Sequence, residues 1–79
     1  MDYEVGKIYS KFRERGIYKN LEDCIHAQNP FGIIDEIDTI LILYIEIYSG
    51  QFFAKILTND LICGWIWLRN GTLCVNSQQ

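Results

Sequence analysis

Hydrophobic and polar positions alternate with a period of two over much of the chain, which predicts short β-strands. The alternation begins after Gly6, where Ile8, Ser10 and Phe12 are predicted to share one side of a first strand. After residue 30, apolar runs are separated by short turn segments. The strands predicted there cover residues 31–34, 39–48, 52–58, 61–68 and 72–75. These links are shorter than the dozen or so residues that a parallel crossover needs, so we predict an antiparallel sheet.

One short helix is predicted before this series of strands, at residues 20–28. Asn20 is a favourable N-cap, and the carboxylates of Glu22 and Asp23 suit the positive end of the helix dipole. Pro30 ends the helix because proline disfavours a helical conformation in the residue before it. Two helical turns are not stable alone in water, so we expect this helix to dock on the sheet.

Five or six short strands with one short helix predict a mainly β fold. Among such folds we favour a small antiparallel barrel, because closure removes the exposed strand edges that promote aggregation. A chain of 79 residues is long enough for one domain, and we assign residues 1–79 to it. The polar tail, residues 76–79, is predicted to be frayed.

The apolar content changes this picture, because it exceeds what one small barrel encloses. Hydrophobic residues make up 49% of the chain, and thirteen of them are isoleucine, whose β-branched side chain favours strands. A barrel has one interior, so at least one apolar row is predicted to face outward. Contiguous exposed apolar area usually marks an interaction site.

The central strands show where this surplus lies, because both of their sides are apolar. Strict alternation over residues 39–48 places Leu41, Leu43, Ile45 and Ile47 on one side and Ile40, Ile42, Tyr44, Glu46 and Tyr48 on the other. We predict that an aromatic side binds a protein partner or a second copy of the chain. This predicted interaction face consists of Ile42, Tyr44, Phe53, Trp65 and Trp67. The alternative is that the helix at residues 20–28 covers the row.

The charge distribution supplies a second hypothesis, nucleic-acid binding. The net charge of −3 argues against a broad basic surface, but residues 1–19 hold five cations against three acids. A small barrel of this kind would use those cations together with Tyr9 and Phe12 as stacking platforms. The predicted basic patch consists of Lys7, Lys11, Arg13, Arg15 and Lys19. The acidic remainder of the chain makes nucleic acid the less favoured partner.

Metal binding and catalysis find little support in the sequence. Four residues are of types that ligate zinc, but they lack the paired spacing of a structural site: Cys24, His26, Cys63 and Cys74. We predict that the cysteines are small buried hydrophobes, and we expect no metal and no cofactor. A cysteine–histidine dyad has no accompanying oxyanion signature, and no phosphate-binding glycine loop is present. We therefore predict a non-enzymatic protein without a small-molecule substrate.

Residues 31–75 contain a long β-branched strand, a hairpin, a returning strand and then Gly64-Trp65-Ile66 before a short turn and a last strand. In this layout they resemble the SH3-like barrel superfamily. The layout also resembles small SH3-like proteins encoded by bacteriophages, which carry Val-Gly-Lys near the start, here at residues 5–7. Residues 13–30 are then a loop and helix insertion. The resemblance implies an SH3-like barrel in a phage accessory protein that self-associates or binds a host or phage protein.

The departures from peptide-binding SH3 domains limit what this resemblance implies. Those domains carry an Ala-Leu-Tyr-Asp-Tyr-like strand, a tryptophan pair and a proline with a tyrosine after the Gly-Trp step, and none of these occurs here. Recognition of proline-rich peptides is therefore not carried over. A third hypothesis, also by analogy, is a phage inhibitor of a host enzyme or defence factor. Its predicted acidic contact consists of Asp35, Glu36, Asp38 and Glu46, which otherwise form a solvated surface.

The expected location is the cytoplasm, that of the host if the chain is encoded by a phage. The N-terminus lacks the basic and apolar regions of a signal peptide. The longest apolar run, residues 40–45, is far shorter than the eighteen or so residues of a membrane span, so no membrane is expected. An odd number of cysteines without a close pair favours a reducing compartment.

Overall fold

A computed structural model describes residues 3–10 and 12–68 of the chain. Its strands are β1 (Ile8–Ser10), β2 (Arg15–Ile17), β3 (Gly32–Ile34), β4 (Thr39–Tyr48), β5 (Gln51–Thr58) and β6 (Cys63–Leu68), and its helix is α1 (Leu21–His26). The predicted turn at residues 69–71, the predicted strand at 72–75 and the polar tail lie outside the described residues. The predicted insertion at residues 13–30 contains β2 and α1.

The strands form two antiparallel sheets. The larger has the order β1-β4-β5-β6, and the smaller pairs β2 with β3. For the described part of the chain, this confirms a small, mainly β, antiparallel fold with one short helix. The prediction of a closed barrel is wrong for the same residues. The chain of pairings does not close, because β2 joins β6 through a single bridge between Tyr18 and Trp65 before the backbone turns into α1.

Helix α1 is held at both ends by hydrogen bonds that its sequence supplies. The side chain of Asn20 accepts from the backbone N–H of Asp23 at 2.8 Å, which confirms the predicted N-cap. The helix ends earlier than predicted, at His26, because Ala27 adopts a left-handed conformation (φ 52°). The N–H groups of Ala27 and Gln28 then donate to carbonyls of the last turn, a Schellman motif.

Two turns set the register of the central strands. Ser49 and Gly50 both have positive φ, as a type I′ hairpin turn requires, and they connect β4 directly to β5. The turn after β5 follows the predicted position at Asn59-Asp60, but its left-handed residue is Leu61 (φ 65°). The hydroxyl of Thr58 accepts from two backbone N–H groups of this turn, which fixes its shape.

A bulge in β4 overturns the strict alternation expected for residues 39–48. The pairing of β4 with β5 shifts between Ile42 and Tyr44, which leaves Leu43 without an opposite residue. Because one extra residue reverses the sides that follow it, Ile42 and Tyr44 lie on opposite faces of the sheet. The face toward the core therefore carries Ile40, Ile42, Ile45 and Ile47, and the other carries Leu41, Tyr44, Glu46 and Tyr48.

The core lies between the two sheets. Its most buried large side chains are Phe12, Ile40, Ile42, Ile56, Ile66 and Leu68, with Ile17 and Ile34 contributed by the smaller sheet. Tyr3 and Tyr9 close one end of the core in an edge-to-face contact with ring centroids 5.2 Å apart. In β1 it is therefore Tyr9 that is buried and Ile8 that is exposed.

Gly64 allows the smaller sheet to approach the larger one closely. A Cβ atom at this position would lie 2.6 Å from Cγ1 of Ile17 and 2.9 Å from the carbonyl oxygen of Tyr18. That oxygen accepts from the N–H of Trp65 at 2.7 Å. Position 64 therefore requires glycine, because β2 crosses β6 there and leaves no space for a Cβ atom.

Candidate interaction surface

The side of the larger sheet that faces away from the core, the outer face, carries three rows of opposed side chains that extend to β6. Directly paired residues of antiparallel strands share a face, so the register defines the rows. They are Ile8, Leu41, Leu57 and Cys63; then Tyr44, Lys55 and Trp65; then Glu46, Phe53 and Trp67. The first row therefore crosses all four strands, and the two rows with aromatic side chains cross β4, β5 and β6.

Helix α1 covers one part of the outer face and leaves the rest open. The helix packs on β5 and β6, where Cys24 and Phe53 are both buried. A cleft of about 330 Å³ remains between α1 and the β4–β5 hairpin, with Ile25 and Trp67 among its lining residues. On the part of the outer face that α1 leaves open, the side chain of Tyr44 is 51% exposed and that of Trp67 is 39% exposed. The cover by the helix, one of the two alternatives drawn from the sequence, thus applies to part of the face, and the other part stays exposed.

The exposed aromatic side chains are held in defined positions. Tyr44 and Trp65 meet edge to face, with ring centroids 6.2 Å apart and an interplanar angle of 87°. The indole N–H of Trp67 donates to Oε1 of Gln51 at 2.8 Å. A hydrogen bond to Glu46, together with the negative charge of that carboxylate, raises the pKa of Tyr44. Held rings lose little side-chain entropy on binding, which favours their use at an interface.

The predicted interaction face is brought together in part. Tyr44, Trp65 and Trp67 lie on the outer face, and Phe53 lies there beneath α1. Ile42 does not belong to the surface, because it is fully buried in the core on the opposite side of the sheet.

The sequence prediction missed the first row of the outer face. The side chain of Ile8 is 55% exposed, and it pairs with the half-buried Leu41, which in turn pairs with Leu57. The apolar character of Ile8 and Leu41 was visible in the sequence. Their shared side was not, because it depends on the pairing of β1 with β4.

The predicted basic patch does not form a single surface. Lys7, Arg13 and Lys19 are exposed, whereas Arg15 is buried, and Lys11 lies outside the described residues. The Arg15 guanidinium donates through Nη1 to the carbonyl of Trp67 at 2.7 Å and lies 5.6 Å from the ring centre of Phe12. Arg15 therefore joins β2 to β6 as a structural residue.

The aromatic residues of the nucleic-acid hypothesis are also buried. Tyr9 is packed against Tyr3, and its hydroxyl accepts from the N–H of Glu4 at 2.9 Å. Phe12 belongs to the core. Neither ring is presented for stacking on a base.

Two of the four predicted acidic contacts serve the local backbone. The carboxylate of Asp38 accepts from the N–H of Asp35 at 2.9 Å, and that of Asp35 accepts from the N–H of Ile37 at 3.1 Å. Glu36 is exposed in the same bend, and Glu46 lies on the outer face beside Tyr44. The four acids therefore occupy two separate places.

The candidate metal ligands are distributed over different elements. Cys24 is buried in α1, where burial raises the pKa of its thiol to about 12, and Cys63 is exposed at the start of β6. Nδ1 of His26 lies 3.1 Å from the carbonyl oxygen of Glu22 on the exposed side of the helix. Cys74 lies outside the described residues. Over residues 3–10 and 12–68, no three His, Cys, Asp or Glu side chains are grouped closely enough to hold a metal ion.

No helix in the described part of the chain is long and apolar enough to span a membrane. No protein family, curated protein or solved structure matches this chain. The arrangement of side chains on the outer face is therefore the basis for a functional hypothesis.

Proposed function

We propose that this chain is a non-enzymatic interaction module that binds a protein through the part of the outer face that α1 leaves uncovered. The observation that carries the proposal is the exposure of Tyr44 and Trp67 on the same face as the apolar row of Ile8, Leu41 and Leu57. Tyrosine and tryptophan are enriched among the residues that dominate binding energy at interfaces. An exposed apolar patch on a small monomeric domain usually serves such contacts.

The exposed aromatic area is large enough to matter energetically. A tyrosine or tryptophan side chain buries about 150–250 Å² when fully covered, so half of that area, roughly 100 Å², remains available on Tyr44. Covering it is worth about 2–3 kcal/mol at ~25 cal/mol per Å², before the costs of association. Lys55 and Glu46 lie within the same rows and provide polar positions beside the aromatic ones.

Site-specific photocrosslinking tests this surface directly. A photoreactive phenylalanine analogue is placed at Tyr44 and, as a control, at Phe31, which is 48% exposed and precedes β3 in the smaller sheet. We expect covalent adducts with a protein, either another chain or a second copy, from position 44 and not from position 31. Equal adduct formation at both positions, or none at position 44, would contradict the proposal.

An SH3-like order of strands, without closure into a barrel over the described residues, and a bacteriophage accessory role belong to the same proposal. Supporting observations are the consecutive antiparallel pairing of β4, β5 and β6 and the position of Gly64-Trp65-Ile66 in β6, where the glycine admits a crossing strand. Nucleic-acid binding has weaker support, because Tyr9, Phe12 and Arg15 are all buried. A mobility-shift assay at low salt is expected to show no complex.

A further inference from the structure

Half of β4 has an open edge in the described structure. On its other side β4 pairs with β5 up to the hairpin turn, whereas the pairing toward β1 stops at Ile42. Ile42 makes the last two hydrogen bonds, accepting from the N–H of Gly6 at 2.8 Å and donating to the carbonyl of Lys7 at 3.1 Å. A turn at Gly6 (φ 88°) ends this pairing. Within residues 3–10 and 12–68, no strand pairs with residues 43–48 on this side.

The register identifies which backbone groups point to the open edge. The two-residue turn Ser49-Gly50 makes Tyr48 and Gln51 a hydrogen-bonded pair. Because bonded and non-bonded pairs alternate along an antiparallel ladder, the N–H and C=O groups of Ile47 and Ile45 point away from β5. Two donors and two acceptors are therefore presented in the spacing of a strand.

The side chains of this edge lack most features that prevent strand pairing. Natural edges are protected by lysine, proline or inward charges. Residues 43–48 read Leu-Tyr-Ile-Glu-Ile-Tyr, with one charge and neither lysine nor proline. Ile47 is 60% exposed although its side of the strand is the one that faces the core. The bulge at Leu43 limits pairing to the residues that follow it.

We propose that a second copy of this chain pairs antiparallel with the open edge of β4, about a two-fold axis at Ile45. A symmetric antiparallel pairing can be centred on a residue whose backbone groups point outward, Ile45 or Ile47, or on Glu46 between them, but a centre at Glu46 places two carboxylates directly opposite each other. With Ile45 at the centre, Tyr44 of each copy lies opposite Glu46 of the other, so the two carboxylates do not face each other. The edge is thus complementary to itself, and two sheets join into one.

This inference goes beyond the proposed function, because it concerns the edge of the sheet and not its outer face. The two are compatible, since edge pairing leaves both outer faces exposed on the same side of the joined sheet. They are also separable, because substitutions at the edge leave the side chains of Ile8, Leu41 and Trp67 in place.

Hydrogen exchange of the unmodified chain gives the first test. We expect the amide of Ile45 to become protected as the concentration rises from low to high micromolar. The amides of Tyr44 and Glu46 bond to β5 in each protomer, so they should stay protected at all concentrations. Rapid exchange of the Ile45 amide in a sample that sedimentation shows to be dimeric would overturn edge pairing.

A matched pair of substitutions gives the second test. Ile47→Lys places a lysine on the edge, and Ile33→Lys makes the same change at 59% exposure in β3 of the smaller sheet. Each substitution occurs twice in a symmetric dimer, so we expect Ile47→Lys to weaken dimerisation by about tenfold or more. Ile33→Lys should leave the dimer dissociation constant within about twofold of the wild-type value. Equal effects of the two variants, or a monomeric wild-type chain at high micromolar concentration, would refute the inference while leaving crosslinking from Tyr44 to a different protein as an independent result.

Discussion

The close approach of the two sheets at Gly64 predicts that Gly64→Ala destabilises the fold strongly. The new Cβ would lie 2.6 Å from Cγ1 of Ile17 and 2.9 Å from the carbonyl oxygen of Tyr18, both shorter than real contacts allow. Because one of these neighbours is a backbone atom, rotation of a side chain does not relieve the overlap. We expect β2 to move away from β6 and the Tyr18–Trp65 bridge to separate.

The magnitude follows from the contacts that are lost. Overpacking of a core site costs about 1–3 kcal/mol. The bridge contributes two backbone hydrogen bonds, of 2.9 and 2.7 Å, worth about 1 kcal/mol each. Replacing glycine by alanine returns about 0.4–1 kcal/mol through the unfolded state. The net loss is about 2–4 kcal/mol, a large part of the total of about 4–12 kcal/mol expected for a domain of this length.

Urea denaturation monitored by tryptophan fluorescence measures this loss, with Gly6→Ala as the control. A Cβ on Gly6 meets nothing within 4 Å, but φ is 88°, so this variant reports backbone strain alone, about 1–2 kcal/mol. Gly64→Ala should cost less in an Ile17→Ala background, since the closest clash is then removed. A loss below about 0.5 kcal/mol for Gly64→Ala, or the same loss in both backgrounds, would refute the close crossing of β2 over β6.

The remaining predictions concern α1. Asn20→Ala removes the hydrogen bond to the N–H of Asp23 and should lower the free energy of unfolding by about 1 kcal/mol in the same urea assay; an unchanged midpoint would contradict the cap. Ala27→Gly should raise the free energy of unfolding by about 0.5–1 kcal/mol, because glycine adopts the left-handed conformation without strain. A lower free energy of unfolding would argue against that conformation at residue 27. Burial raises the pKa of the Cys24 thiol from 9.0 to about 12, so the unfolded chain loses this proton at a lower pH than the folded chain. The free energy of unfolding should therefore fall as the pH rises above about 9, and Cys24→Ala should remove this effect. Alkylation at neutral pH, followed by mass spectrometry of the peptides, should modify Cys63 at least about tenfold faster than Cys24, and equal rates would contradict the burial of Cys24.

Local signals in the sequence were sufficient for most elements of the fold. The period-two pattern located β4, β5 and β6, and the short segment between the strands predicted at 39–48 and 52–58 located the turn that connects β4 to β5. The cap at Asn20 located the start of α1. Each of these features depends on residues that are close together in the chain, so the residue types alone predict it.

The candidate site could be predicted only in part, because membership of a face depends on register. The predicted interaction face includes three aromatic residues that do lie on the outer face, Tyr44, Trp65 and Trp67. Ile42 was assigned to the same face because an uninterrupted alternation places it beside Tyr44. No glycine or proline marks the bulge at Leu43, so residues 39–48 contain no local signal that the sides reverse there.

The sequence by itself determined that this protein is a mainly antiparallel β structure with one capped helix and more apolar side chains than a small core requires. Only the tertiary structure decided which of those side chains are covered. Phe53 and Arg15 are buried by contacts with elements far away in the chain, while Tyr44 stays exposed and half of β4 keeps an open edge. The physical reason is that secondary structure follows from interactions between near neighbours, whereas burial depends on which distant strands meet and in what register.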